Sequence, residues 1–260
     1  MRIVVKIGGR ALEDSEILNR CATAVVELTQ AGHQVAVVHG GGSSLTRMLG
    51  QLGKESNFVH GLRVTDSETR DVALMVLAGT MNKKLVAAIA SKGHPAVGLS
   101  GGDGQTFRAR KKHVDDADLG YVGEIVSVDR KWIEAIWQMH CVPVISSIAL
   151  GYDGEYYNVN ADETASACAV GCGAHALIFL TDVPGVRGSD GTVMRWLHLE
   201  EIPELEKSAV ISGGMLPKLG ACKKALSKGV NRVRIFPAME ASVLPDFYFR
   251  SIDYGTEVVA

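Results

Sequence analysis

The sequence has little excess charge, few cysteines and no evident targeting segment. Its 27 Lys and Arg residues nearly balance 29 Asp and Glu residues, so the formal net charge is −2. This dispersed charge argues against nucleic acid or an acidic membrane as the main partner. The five cysteines form an odd set without the spacing of a disulfide framework, which favours reduced thiols. We therefore expect a soluble, cytoplasmic protein.

Metal ligands and membrane spans are equally scarce. Cys168 and Cys172 are one helical turn apart, but no second His or Cys pair stands nearby to complete a zinc site. We therefore predict no metal ligand from the protein. Two uncharged runs, 135–152 and 164–181, approach the length of a membrane span. Polar residues and glycines interrupt both, so we interpret each run as a helix followed by a buried strand.

Three familiar nucleotide-binding signatures are also missing. The chain has no G-x-x-x-x-G-K-[ST] loop, no G-x-G-x-x-G motif after a strand, and no H-R-D and D-F-G pair. These absences disfavour a P-loop ATPase, a nicotinamide-dependent dehydrogenase and a protein kinase. A nucleotide site, if present, must be built by a different arrangement of glycines and cations.

Apolar strands and helical segments alternate along the chain. This order is typical of α/β proteins and predicts a three-layer αβα sandwich around a mostly parallel open sheet. Residues 104–128 alternate as antiparallel strands do, and 149–157 predict a hairpin that turns at Asp153-Gly154. The predicted sheet strands are 2–7, 34–38, 95–99, 142–148, 177–181 and 232–236, and the predicted helices lie near 14–31, 43–52, 66–79, 81–92, 130–140, 162–172 and 218–228.

Two lysines beside glycines are the most informative charged residues. Lys6 interrupts a buried apolar strand, and Gly8-Gly9 then provides a tight turn whose amides are open to an anion. A second glycine turn, His39 to Gly42, follows the strand 34–38, and Lys218 follows a third pair of glycines. Two glycine turns and two cations predict a site for a phosphate group. The alternatives are simple turn glycines and lysines that reach solvent.

Eight short motifs occur in one order and are together far more specific. Through them the chain resembles the amino acid kinase family, from residue 3 to the final Tyr-Gly-Thr-Glu-Val-Val. The third and sixth motifs resemble the branch that phosphorylates N-acetyl-L-glutamate, although similar proteins often have Asn in place of His60. The motifs are VKIGG (5–9), VHGGG (38–42), HGLRVT (60–65), LAGTMNK (77–83), GLSGGDG (98–104), YNVNAD (157–162), LTDVPGV (180–186) and SGGMLPK (212–218).

The resemblance implies a transferase of arginine biosynthesis, a kinase that passes the γ-phosphoryl group of ATP to the side-chain carboxylate of N-acetyl-L-glutamate. Mg²⁺ is expected to travel with ATP, held by phosphates and water. In the implied site, Lys6 and Lys218 stabilise the transferring group together with the amides of Gly8 and Gly41. Asp162 orients both lysines. An acid at this position is also explained by helix capping and the helix dipole.

The same resemblance assigns the binding residues. The helix and strand pattern, in which the later section carries its own set of elements, predicts a boundary near 173–177 that divides a single domain, 1–260, into two lobes. Residues 1–173 would form the acceptor-binding and dimerisation lobe, and 174–260 the nucleotide-binding lobe. Arg63 would bind the α-carboxylate of the acceptor, although a solvated loop arginine is the simpler interpretation. The other acceptor residues would be Gly40, Gly41 and Asn158. The nucleotide residues would be Thr181, Asp182, Val183, Pro184, Gly185, Val186, Arg187, Val210, Ile211 and Ser212.

Two competing functions remain open at this stage. A sister enzyme phosphorylates aminoadipate or glutamate carried on a small acidic protein, and such a partner would favour a basic surface beside the acceptor pocket. Lys54 and the cluster 108–112 supply some positive charge but no extended patch. A catalytically silent sensor of nucleotide or amino acid is the other alternative, and the retention of both lysines and Asp162 argues against it.

The segment Val72 to Ala78 predicts a subunit contact. Its seven consecutive apolar residues cover every side of about two helical turns, so one side needs cover from another element or subunit. The matching helix in the resembled family lies at the subunit contact, which implies a homodimer. Arginine-sensitive members carry a helix before the first strand. Here that strand begins near Arg2, so we expect no feedback by arginine.

Overall fold

The computed structural model describes residues 1–114, 117–211, 213–245 and 254–260. Strands and helices alternate along these residues as the sequence predicts. The strands are β1 (Arg2–Ile7), β2 (Gln34–His39), β3 (Phe58–Val59), β4 (Leu62–Arg63), β5 (Ala96–Leu99), β6 (Phe107–Lys111), β7 (Val122–Val128), β8 (Val142–Ser146), β9 (Ile148–Gly151), β10 (Tyr156–Val159), β11 (Ala176–Thr181), β12 (Trp196–His198), β13 (Arg232–Pro237) and β14 (Thr256–Val259).

The helices are mostly short and begin at identifiable caps. The Asp14, Asp66 and Asn160 side chains each accept hydrogen bonds from the first backbone amides of the helix that follows. The helices are α1 (Gly9–Glu13), α2 (Ser15–Gln30), α3 (Gly42–Gln51), α4 (Ser67–Ala73), α5 (Asn82–Ala90), α6 (Lys131–Gln138), α7 (Ala161–Gly171), α8 (Ile202–Lys207) and α9 (Met215–Ser227), with 3₁₀ turns at Asp103–Gln105 and Ala238–Val243.

The main sheet is open and mostly parallel. In the described part of the chain it has eight strands in the order β12-β14-β13-β11-β1-β2-β8-β5, and β14 is antiparallel to β13. Along β1, Ile3, Val5 and Ile7 join one buried apolar cluster, while Val4 joins a second cluster on the other face. Helices therefore cover both faces of a sheet that is buried on both sides. The predicted αβα sandwich is confirmed.

A small barrel sits beside the sheet and closes one side of the site described below. Strands β10, β7, β6 and β9 form it, with antiparallel pairs β6–β7 and β9–β10. The predicted antiparallel strands in 104–128 and the predicted hairpin at Asp153-Gly154 are thus confirmed. The strands β3, β4, β12 and β14 and the helices α1 and α8 were not predicted.

The predicted helices 66–79 and 81–92 are one continuous helix. A π-helical segment, Leu74–Met81, joins α4 to α5 without a break. By length and composition alone, the helix Ser67–Ala90 could cross a membrane, and 39% of its most apolar stretch is buried within the chain. Core helices of soluble proteins have the same character. The two runs considered from the sequence, 135–152 and 164–181, instead contain helices and sheet strands.

Candidate active site

Three charged residues from distant parts of the chain meet at the carboxyl ends of the central strands. The Lys6 Nζ atom lies 2.7 Å from Asp162 Oδ1, and the Lys218 Nζ atom lies 2.9 Å from Asp162 Oδ2. Lys6, Asp162 and Lys218 are only 7%, 7% and 6% exposed. One buried carboxylate thus holds two ammonium groups, and the cluster keeps one excess positive charge inside the protein.

Each member of this cluster is mounted on a rigid element. Lys6 lies on β1, which pairs with β2 on one side and β11 on the other. Asp162 lies in the first turn of α7, which Asn160 caps by accepting from the Asp162 and Glu163 amides. Lys218 lies in the first turn of α9, with its Nζ atom 5.2 Å from the centre of the Phe179 ring. The cluster is therefore held in place without a ligand.

Burial and charge act on the cluster in opposite directions. Burial raises the pKa of Asp162, but the two lysines outweigh it and bring the pKa to about 2. Burial is the largest influence on Lys6 and lowers the pKa of that ammonium group, against the opposing effect of Asp162. Asp162 is therefore ionised near neutral pH and is unsuited to act as a general base.

Asp162 is expected to make the fold sensitive to acid. Its pKa is about 2 in the folded chain against 3.8 for the free side chain. Its stabilising effect is therefore complete above about pH 4 and is lost as the pH falls through about 2. This linkage corresponds to roughly 2 kcal/mol of unfolding free energy. Denaturant titrations between pH 5 and 2 should show a shallower decline for Asp162→Asn than for the parent protein.

The matched control for this experiment is Asp71→Asn, because Asp71 is an exposed carboxylate on a helix surface. It should retain the parental dependence on pH. An unchanged slope in Asp162→Asn would show that Asp162 does not account for the loss of stability in acid.

The two glycine turns pack backbone against backbone. A Cβ atom at Gly9 would lie 2.9 Å from the Gly41 nitrogen, and one at Gly41 would lie 2.7 Å from Leu77 Cδ2. Gly9 has no room for a side chain because it would meet backbone, whereas a side chain at Gly41 would have to displace the end of the Leu77 side chain. The Gly8 amide, in contrast, donates to the Leu180 carbonyl at 3.0 Å and extends the β1–β11 pairing.

The role of Gly8 as a phosphate donor stays a prediction, and this geometry counts against it because the Gly8 amide would have to give up its bond to Leu180. Gly9 is a neighbouring candidate that the sequence reasoning did not name. It begins α1, where the amides of the first turn have no acceptor within the helix. The Gly8-Gly9 pair was the only signal, and it did not distinguish between the two positions.

The predicted acceptor residues line one cavity next to the charged cluster. Gly40, Gly41, Arg63 and Asn158 all contribute to a cavity of about 160 Å³. The sequence reasoning missed several further residues of its wall, because most of them are apolar side chains that pattern alone does not distinguish from core residues. They include Leu45, Phe58, Leu77, Val122, Ser147 and Asn160.

Arg63 is held firmly at the edge of this cavity. Its Nη2 atom donates to the Gly42 carbonyl at 3.0 Å and to Thr46 Oγ1 at 2.6 Å, and its Nη1 atom donates to Ser56. The guanidinium also lies 4.7 Å from the centre of the Phe58 ring. These bonds use three of the five donors of the side chain, which leaves donors for a ligand carboxylate. A solvated loop arginine does not fit this burial.

Asn158 lies on the barrel strand β10 at the opposite wall. Its side-chain amide donates to Thr65 Oγ1 at 3.3 Å, and the Thr65 hydroxyl donates to the Arg63 carbonyl at 2.8 Å. Asn158 and Arg63 are thereby linked through one buried threonine. The chain brings both predicted acceptor-binding side chains to the same cavity.

The predicted nucleotide segment begins where β11 ends, at the same edge of the sheet. Asp182 forms an ion pair with Arg10 of α1 at 2.6 Å, and Val186 is anchored by its amide to Thr256 Oγ1 at 2.8 Å. Ile211 is buried, and its amide donates to the Leu205 carbonyl. Ser212 lies outside the described residues. The other predicted members are Thr181, Val183, Pro184, Gly185, Arg187 and Val210, in or beside this loop region.

Comparison with known proteins places the chain in a family. A family model described as the amino acid kinase family matches residues 1–237. An acetylglutamate kinase from Acidobacterium capsulatum is 66% identical over 260 residues, which cover all of both chains. One from Koribacter versatilis is 54% identical and covers all of this chain and 99% of that one.

A solved structure agrees with this placement. The N-acetylglutamate synthase from Neisseria gonorrhoeae, complexed with coenzyme A and N-acetyl-glutamate, superposes with a TM-score of 0.88 at 26% identity. The match covers all of this chain and 59% of that one. The chain belongs to the amino acid kinase family.

Proposed function

We propose that this chain transfers the γ-phosphoryl group of ATP to the side-chain carboxylate of N-acetyl-L-glutamate. The product is N-acetyl-L-glutamyl 5-phosphate, an intermediate of arginine biosynthesis. The observation that carries the proposal is the pair of buried lysines on Asp162 beside a cavity that contains Arg63 and Asn158. The full-length similarity to acetylglutamate kinases supports the choice of substrate.

The reaction needs electrostatic help and no general base. A carboxylate nucleophile is already ionised near neutral pH, so no proton has to be removed from it. The obstacle is the approach of one anion to another and the charge spread over the equatorial oxygens of the transferring group. Fixed cations and backbone amides reduce that obstacle. The two buried lysines and the amides of the glycine turns are cations and donors of this kind.

In this mechanism Lys6 and Lys218 bind the transferring phosphoryl group, and Asp162 holds both ammonium groups in position. Gly41 donates its backbone amide to the same group, and we add Gly9 in the place first given to Gly8. The negative charge of Asp162 also favours the charged form of Lys6 against the effect of burial. Asp162 itself neither gains nor loses a proton during the reaction.

The acceptor is oriented by its remote end. The Arg63 guanidinium binds the α-carboxylate, because its planar donors match a carboxylate in a two-bond contact. Asn158 adds a hydrogen bond to that end, and Gly40 and Gly41 allow the acceptor to lie against the backbone. The side-chain carboxylate then points toward the two lysines. The contacts with the α-carboxylate lie far from the reacting atoms, and their binding energy positions the side-chain carboxylate for attack.

ATP enters as its Mg²⁺ complex, with the segment Thr181 to Arg187 on one side of the nucleotide and Val210 and Ile211 on the other. We assign Mg²⁺ to phosphate oxygens and water, as is usual for a nucleotide-bound magnesium ion.

Residues 1–173 act as the acceptor lobe and 174–260 as the nucleotide lobe. The enzyme works in the cytoplasm.

An assay that traps the acyl phosphate with hydroxylamine tests this function. The protein and MgATP should yield a hydroxamate with N-acetyl-L-glutamate, and little or none with aspartate or carbamate. The same assay with a carrier-linked glutamate or aminoadipate distinguishes the competing kinase. Turnover of the carrier-linked substrate alone would replace the proposal, and nucleotide binding without turnover would indicate a sensor.

We also propose that two copies of the chain pair through the helix Ser67–Ala90. Met75 in its π-helical segment is 66% exposed, and the most apolar window of this helix is only 39% buried within one chain. Such an uncovered apolar face is typical of a protein–protein interface. A second copy of the same helix would cover it with matching apolar side chains.

Met75→Asp is expected to dissociate this dimer, because a carboxylate would be buried against an apolar partner without a cation. Light scattering should give twice 27.7 kDa for the parent and 27.7 kDa for the variant. Met139→Asp is the matched control, since Met139 is also exposed but lies at the end of α6. Equal dissociation by both variants, or a monomeric parent, would contradict the proposed interface.

A further inference from the structure

One buried histidine next to the glycine turn has no part in the mechanism above. His39 ends β2 and is fully buried. Its Nδ1 atom lies 2.8 Å from the Gly40 carbonyl oxygen, and its Nε2 atom lies 3.1 Å from the side-chain nitrogen of Asn82. Burial lowers the pKa of His39 to about 4, and the charge of Lys6 acts in the same direction. The imidazole is therefore neutral near pH 7.

Asn82 determines which ring nitrogen carries the proton. Its side-chain nitrogen also donates to the Val144 carbonyl at 2.9 Å, so a donor is required at this position. Rotating the amide would instead bring its oxygen against that carbonyl oxygen. The Asn82 nitrogen can only donate, so His39 Nε2 accepts and the single ring proton lies on Nδ1. His39 Nδ1 therefore donates to the Gly40 carbonyl.

This bond sets the direction of the amide that follows. The peptide bond between Gly40 and Gly41 is trans, so its carbonyl and its N–H point in opposite directions. With the Gly40 carbonyl held toward His39, the Gly41 N–H points away from the imidazole. The Gly41 nitrogen is also the atom that approaches Gly9 at the other glycine turn.

The hydrogen bond from His39 to the Gly40 carbonyl is needed because the peptide lies between two glycines. A Cβ atom at Gly41 would lie 2.7 Å from Leu77 Cδ2, so a larger residue would have to displace that side chain. Glycine also permits the peptide plane to rotate, because it lacks the steric limits of other residues. A rotated plane would present a carbonyl oxygen to the phosphoryl group in place of an N–H, which would repel the anion. A buried donor to the Gly40 carbonyl opposes that rotation.

We infer that His39 is a positioning residue, which holds the Gly40–Gly41 peptide so that the Gly41 amide faces the transferring phosphoryl group, and that Asn82 sets the tautomer it needs. This role rests on the proposed phosphoryl transfer. It acts on the turnover number, because the amide is directed at charge that develops in the transition state.

Substitutions of His39 that differ in their donors test the inference. His39→Asn places an amide nitrogen near the position of Nδ1, whereas His39→Gln places one near Nε2. We expect His39→Gln to lower kcat by about 10²-fold, as for loss of one preorganised donor, with little change in the KM for ATP. His39→Asn should recover much of this loss. Thermal unfolding of both variants shows whether they remain folded.

A magnetic resonance measurement on the parent protein tests the tautomer without any assay of activity. Long-range proton–nitrogen spectra of the labelled imidazole should show a proton on Nδ1 and a bare Nε2, and Asn82→Leu should allow a mixture. Failure of the proposed function would show as absent hydroxamate with this tautomer intact. Protonated Nε2, equal kcat in His39→Gln and the parent, or equal losses in the Gln and Asn variants would overturn the inference.

Discussion

Replacing Lys6 with methionine is expected to lower kcat by about 10²-fold or more, with little change in the KM for either substrate. The ammonium group faces charge that develops in the transition state, so its loss slows the chemical step more than it weakens binding. Methionine keeps the apolar stem inside the strand. Asp162 retains Lys218 as a partner at 2.9 Å, so its charge stays compensated and the chain should fold.

Lys218→Met should show the same pattern. Lys223→Met is the matched control, because Lys223 lies on the exposed face of the same helix, α9. Steady-state kinetics in the hydroxamate assay separate kcat from KM for all three variants. Parental kcat with a raised KM for ATP in Lys6→Met would mean that the lysine binds only the ground state.

Removing Arg63 should raise the KM for N-acetyl-L-glutamate steeply and leave the KM for ATP almost unchanged. Loss of one partner from a buried charge pair typically costs about 2–5 kcal/mol. This corresponds to a rise of about 30-fold to several thousand-fold in KM. Arg63→Ala also removes the bonds to Gly42 and Thr46, so part of the effect could come from a loosened α3.

An acceptor analogue without the α-carboxylate separates these two contributions. If Arg63 binds that carboxylate, the variant and the parent should use the analogue with similar efficiency. Arg47→Ala is the control, because Arg47 is an exposed arginine on α3 that pairs with Glu13. A variant that still discriminates strongly against the analogue would show that another residue binds the carboxylate.

The sequence predicted most of the fold because the main strands are continuous apolar runs between helical patterns. β12 was missed because it has only three residues, of which only Leu197 is buried. β14 is a four-residue strand near the end of the chain and pairs antiparallel with β13. The π-helical segment was missed because a continuous apolar run has no polar residues to indicate its helical period. The sequence therefore does not show whether the backbone bonds follow an α- or a π-helical pattern.

The predicted site residues were placed together by motifs and not by periodicity. Residues 6, 162 and 218 meet only because the end of β1 and the beginnings of α7 and α9 lie at one edge of the sheet. The choice between Gly8 and Gly9 could not be made from the sequence, since backbone pairing beyond β1 decides which amide already has an acceptor. The pairing of His39 with Asn82 could not be predicted, because it depends on the packing of a helix against β2 and β8.

The position of β1 at the middle of the sheet means that the two lobes cannot be separated as independent fragments. Its pairing with β11 runs from Ile3–Ala176 to Ile7–Leu180, and this seam joins residues on either side of the predicted boundary. A fragment ending at 173 would expose one long edge of β1, and the remaining fragment would expose β11. Bare edges of buried apolar strands promote aggregation. Expression of either half alone should therefore yield insoluble protein, whereas coexpressed halves have a matching edge to pair with.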